Sequence, residues 1–174
     1  YMEHNVPISN VGHLVQPPKA LLKQLVDYGC EYITLYSIEK AQDINACLIN
    51  TNRKQKVMLR IISDQDCIYS GQHAGFNIDE LEHVVHELKK LEHIDIKGLT
   101  SFPCFLYNET SQKNEPTENL NTILKAKEIV EKLGVSIENL NAPSTTCVST
   151  IEEMAKYPIQ SGEPGHGLSG TTPL

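Results

Sequence analysis

Short apolar runs alternate with longer amphipathic ones along this chain, and that alternation limits what it can fold into. The apolar runs predict strands over 6–11, 32–36, 57–62, 96–102, 136–140 and 158–161. The stretches between them predict helices over 18–28, 38–50, 78–91, 117–133 and 151–157. Leu81, Val84, Val85, Leu88 and Leu91 recur at helical spacing. Pro18 near the first turn and Gly29 just past the last bracket the first helix. Ser37 suits the N-cap of the second, and Gly134 and Pro158 stop the fourth and fifth. Strand–helix alternation is the pattern of an α/β fold with a parallel sheet. A closed (β/α)8 barrel takes about 250 residues, whereas this chain has 174 and six strand segments. An open doubly wound sheet and a barrel lacking two units both accommodate that count. Both place their chemistry just after strands.

Composition narrows the function classes. A net charge of -7 argues against a nucleic-acid surface, which needs clustered Lys and Arg. No apolar run reaches membrane-spanning length and no signal peptide is expected, so no membrane partner is expected either. Cys30, Cys47, Cys67, Cys104 and Cys147 are odd in number and scattered, which suits reduced thiols and a cytoplasmic protein. The first residue is Tyr1, so a trimmed start is expected. No linker or low-complexity stretch divides residues 1–174, which read as one domain.

The candidate chemistry follows the strands. The run from Ser161 to Pro173 sets glycines and hydroxyl residues around Glu163 and His166. Glycines let backbone N–H groups approach an anion, and hydroxyls add donors. A carboxylate there repels phosphate, unless the ligand carries a phosphate at one end and a protonatable nitrogen at the other. Pyridoxal phosphate (PLP) is such a ligand. Asn141 to Thr146 places Ser144, Thr145 and Thr146 at an expected helix start, which suits either anion binding or capping. Gly12 and His13 follow the first strand, either facing a site or forming an ordinary turn.

The 63–76 segment is too long for a simple connector and reads as a substrate lid. Its Asp64, Asp66 and His73 match no metal-ligand spacing, and His83 and His86 read as a solvated helix face, so no metal is expected. Cys104 lacks a neighbouring base and reads as a structural thiol.

In order along the chain, these segments resemble the fold-type III PLP-dependent enzymes, whose N-terminal domain is the alanine-racemase-type barrel, and within them the YhfX-type branch. Gly12-His13-Leu14-Val15-Gln16 resembles the Ile-Gly-x-Leu-Gln segment of the small single-domain PLP-binding barrels. Gly98 to Pro103 resembles the racemase stretch ending Thr-His-Phe-Ala, and Asn141 to Ser144 the phosphate loop. Glu163-Pro164-Gly165 resembles both the racemase Arg-Pro-Gly and the decarboxylase Glu-Pro-Gly-Arg.

The resemblance implies a partial (β/α)8 barrel, strands three to eight, with the Schiff-base lysine of strand one outside this chain. On that expectation, this segment alone is inactive and its catalytic residue is unknown. It implies cofactor contacts from Glu163, Gly165, His166, Ser144, Thr145, His13 and Ser101, with Glu163 at the pyridine nitrogen. Ser101 stands where racemases carry a ring-stacking His, leaving Phe102, His13 or no side chain to cover the ring. The implied activity is Cα–H abstraction from an amino-acid substrate, racemase-like, with a homodimer as the common assembly. A decarboxylase or lyase, a non-catalytic PLP carrier and an unrelated sugar-phosphate barrel are the alternatives.

Overall fold

The computed structural model describes residues 2–165. Its sheet contains β1 (Asn10–Val11), β2 (Tyr32–Leu35), β3 (Gln55–Ile62), β4 (Phe76–Asn77), β5 (Ile94–Thr100) and β8 (Asn139–Asn141). The helices are α1 (Lys19–Tyr28), α2 (Ile38–Leu48), α3 (Leu81–Lys89), α4 (Glu118–Lys132) and α5 (Val148–Met154). A separate antiparallel hairpin is formed by β6 (Phe105–Asn108) and β7 (Lys113–Pro116).

The order β1-β2-β3-β5-β8 is parallel throughout and follows the chain without reversal. A doubly wound sheet reverses direction at its switch point. Continuous winding is the barrel pattern, because right-handed crossovers keep laying helices on one side. The fold is therefore a partial (β/α)8 barrel.

Strand alternation divides the two faces. Ile33, Leu35, Val57, Leu59, Ile61, Leu99 and Leu140 are fully buried in one core cluster with Leu22, Ile44, Leu81, Leu88 and Ile123 of the helices. The opposite face is polar, carrying Asn10, Thr34, Arg60, Thr100, Asn139 and Asn141, with Met58 among them.

Local sequence sets two of the helix boundaries. Gly29 ends α1 in the left-handed region, at φ 88°, with its N–H donating to the Leu25 carbonyl at 3.2 Å. Ser37 caps α2, accepting from Lys40 N at 3.3 Å.

Several expected elements change, the fifth strand moving from 136–140 to Asn139–Asn141 among them, and one hairpin is added. The first strand shrinks from 6–11 to Asn10–Val11. The expected sixth strand over 158–161 is a single bridge between Asn141 and Ser161. The last helix begins at Val148 rather than at 151 and ends at Met154. The β6–β7 hairpin was not expected, because β7 is polar and carries no apolar alternation. Backbone pairing from Phe105–Pro116 to Asn108–Lys113 forms it, and Asn108 fastens its turn: Oδ1 accepts from Thr110 N at 2.9 Å, and Nδ2 donates to Glu115 at 2.7 Å.

Candidate functional site

A cleft of about 360 Å3 opens on the polar face at the carboxyl ends of the strands. Asn10 and His13 stand on one side, Asn141, Ser161, Glu163 and Gly165 on the other, and Met58 lies between. Curvature of the sheet brings these two edges together.

Glu163 is half-buried. Its Oε1 accepts from Asn141 Nδ2 at 3.0 Å, and its Oε2 lies 3.8 Å from His13 Nε2. Its backbone N–H donates to Thr146 Oγ1 at 3.1 Å, tying the segment to the preceding loop. The single Ser161 hydroxyl hydrogen is shared between Asn139 Oδ1 at 2.7 Å and Asn141 Oδ1 at 3.1 Å. Burial raises the Glu163 carboxyl above its ordinary range, against the opposing Asn141 hydrogen bond.

His13 is only 8% exposed, and neither ring nitrogen has a hydrogen-bond partner among the described residues. Burial, aided by the Arg60 charge, lowers its pKa to about 4. The ring is therefore neutral at physiological pH. Gly12, at φ 96°, sets the approach to it: a Cβ there would lie 3.2 Å from the Thr34 carbonyl. Gln16 Nε2 closes this loop onto the Gly12 and Thr34 carbonyls, at 2.8 and 2.9 Å.

Aromatic rings extend from His13. Phe102 meets it edge-on with centroids 5.5 Å apart, and Tyr69 packs against Phe102 at 5.6 Å. Tyr69 belongs to the 63–76 segment expected to be a lid. That segment is tethered in several places. Cys67 N donates to Asn119 Oδ1 at 3.0 Å, Thr122 Oγ1 donates to Asp66 at 2.6 Å, and the Gln72 carbonyl accepts from Arg60 at 2.8 Å. The geometry is that of a wall fastened to its neighbours.

The fold thus brings His13, Glu163 and Gly165 to one cleft. Ser101 is fully buried, its Oγ accepting from Asn119 Nδ2 at 3.1 Å, and does not line the cleft. Ser144 and Thr145 lie in the adjoining loop at φ 88° and 49°, and Thr145 Oγ1 donates to the Phe105 carbonyl at 3.0 Å. They precede α5 rather than opening it, because its N-cap is Cys147. His166 lies outside the described residues. Cys104 is fully buried and donates to the Ser101 carbonyl at 3.3 Å, and burial pushes its thiol far above the usual range. That agrees with a structural role.

Arg60 and Tyr36 were not singled out by sequence. Arg60 is 1% exposed; it donates to Tyr36 Oη at 3.0 Å and to the Gln72 carbonyl. The signal was present: one cation interrupts the apolar run from Val57 to Ile62. A second cleft of about 240 Å3, lined by Cys30, Arg53 and Gln55, lies at the amino ends of the strands, away from these groups.

The profile of the alanine racemase N-terminal domain matches residues 3–173. The uncharacterized protein YhfX of Escherichia coli (strain K12) is 38% identical over 168 residues, covering 97% of this chain and 43% of YhfX. The chain therefore spans about two-fifths of the length of that curated relative. Solved structures share the fold. Alanine racemase of Clostridium difficile 630 matches with TM-score 0.62 and 20% identity, over 90% of this chain and 40% of its own. PipY of Synechococcus elongatus, determined with PLP bound, matches with TM-score 0.61 and 14% identity, over 89% and 66%. Diaminopimelate decarboxylase of M. jannaschii matches with TM-score 0.63 and 12% identity, over 91% and 44%. With a profile match across nearly its whole length, the chain belongs to the alanine racemase N-terminal domain family.

Proposed function

We propose that residues 1–174 form one partial barrel domain that binds PLP in the cleft between His13 and Glu163. We propose further that the longer protein acts on an amino acid by Cα–H abstraction, as a racemase-like isomerase of amino-acid metabolism. The observation that carries this reading is the Glu163 carboxylate, fixed by Asn141 where the family resemblance puts the partner of the cofactor's ring nitrogen.

The residues present fit the cofactor. The cleft is within the size range of small-molecule sites. His13 lines the cleft, both its ring nitrogens are buried without a partner among the described residues, and such groups are costly unless a ligand or water satisfies them. Gly165 has open space where a side chain would stand, which suits close approach of a phosphate. Ser144, Thr145 and His166 are the further phosphate contacts in this proposal. Ser101 supports the wall through Asn119, which bonds both Ser101 Oγ and Cys67 N.

Bound PLP supplies an electron sink for charge developing at Cα. Glu163 holds a proton at the ring nitrogen, with Asn141 keeping one carboxylate oxygen in place. Neutral His13 accepts or donates a hydrogen bond without adding charge. Phe102 and Tyr69 exclude water along one wall. The acidic Glu163 where racemases carry Arg favours a second reading, a decarboxylase or lyase. A cytoplasmic homodimer is the setting proposed for either.

The test uses the full-length protein carrying this chain. It is mixed with PLP, reduced with borohydride and mapped by mass spectrometry. A pyridoxyl-lysine supports the reading, and its absence overturns it. Incubation with L-amino acids then separates the activities: the D-enantiomer marks a racemase, carbon dioxide release a decarboxylase.

A further inference from the structure

A buried guanidinium without a carboxylate partner is unusual, because desolvating a charge is costly unless it is paired. Among the described residues no Asp or Glu forms an ion pair with Arg60. Its partners are Tyr36 Oη at 3.0 Å, the Tyr36 ring face at 5.1 Å and the Gln72 carbonyl at 2.8 Å. Its Nε has no partner among the described residues. Tyr36 Oη in turn donates to the His13 carbonyl. One side chain on β3 therefore joins three loops: the one bearing His13, the end of β2, and the 63–76 segment bearing Tyr69.

We propose that Arg60 is a positioning residue that acts through Tyr36 and Gln72 to fix the His13 ring against Glu163 and the 63–76 wall against Phe102. The architecture supports this. Tyr36 spends its hydroxyl hydrogen on the His13 backbone, so it can only accept from Arg60, and the direction of both bonds is set. The charge serves a second purpose. Among the described residues the ionisable groups facing His13 are Arg60, whose charge opposes protonation of the ring, Glu163, whose Oε2 lies 3.8 Å from Nε2, and Tyr36, which bonds the His13 carbonyl. Burial and Arg60 keep the imidazole neutral beside the carboxylate.

The test compares wild type, Arg60→Met, Tyr36→Phe and the double variant in the full-length protein. Two readouts are followed: the His13 imidazole titration by NMR, and PLP affinity by fluorescence titration. Tyr36→Phe removes one hydroxyl and should fold, so the proposal stays testable if Arg60→Met does not. Arg60→Met is expected to raise the His13 midpoint toward its ordinary value, and Tyr36→Phe, which keeps the charge, to leave it low. Each is expected to weaken PLP binding about tenfold, the order of one lost charge-assisted hydrogen bond. The double variant should be little worse than either single one, because both break one chain of contacts. An unmoved His13 titration in folded Arg60→Met, unchanged PLP affinity in Tyr36→Phe, or fully additive losses would overturn it. The affinity arm rests on the PLP reading and the titration arm does not. If wild type fails to bind PLP, that reading fails, and the His13 titration still decides the role of Arg60.

Discussion

Glu163 Oε2 and His13 Nε2 lie 3.8 Å apart, although the two residues belong to opposite ends of the chain. The contact joins the loop after the first strand of the sheet to the segment after its last bridge. It forms only because the parallel sheet curls, and it places an anchored carboxylate beside a buried neutral imidazole.

Replacing Glu163 tests the carboxylate. Glu163→Gln keeps the shape and the Asn141 contact but removes the charge that would hold a protonated ring nitrogen. A charge-assisted hydrogen bond is worth about 1.5–3 kcal/mol. PLP affinity should fall roughly ten- to a hundredfold. Equal affinity in a fluorescence titration would show that the ring nitrogen is not held there.

His13 makes stability depend on pH. Its folded pKa of about 4 lies below the ordinary 6.5, so the unfolded chain binds the proton first as pH falls. Stability present above 6.5 is then lost progressively down to 4, to the order of about 3 kcal/mol. Glu163 acts in the opposite sense: its folded pKa is raised, so its protonation at low pH favours the folded form. Urea unfolding between pH 4 and 7 should show a steeper loss in wild type than in His13→Asn. Parallel curves would refute the assignment.

Asn119 links the wall to the barrel. It is fully buried, accepts from Cys67 N and donates to Ser101 Oγ. Asn119→Ala leaves both partners without their bond and should cost about 1–3 kcal/mol. Faster proteolysis within 63–76, together with a lower urea midpoint, is the expected outcome. A lower midpoint with unchanged cleavage would separate the two effects and count against the tether.

Thiol labelling checks the burial pattern. Cys67 and Cys147 are exposed and should react in the native protein. Cys30 and Cys104 should react only after unfolding, since burial raises the Cys30 thiol to about 11 and Cys104 higher still. Labelling of Cys104 in the native state would contradict its structural role.

Near neighbours along the chain encode the alternation of strands and helices, the α3 core face, the Gly29 stop and the Ser37 cap. Each of these is set by residues within one turn or a few positions of one another, so local physics suffices. The ordered segments from Gly12 to Gly165 also carried the family. Only the tertiary structure decided the rest. The β6–β7 hairpin is a backbone ladder with Asn108 fastening its turn and no apolar pattern along β7. Ser101 faces Asn119 rather than the cleft. The burial of Arg60, the Asn141–Glu163 bond and the approach of Glu163 to His13 all depend on sheet curvature. Such contacts join strand ends far apart in the chain, and no local periodicity encodes which strand ends will meet.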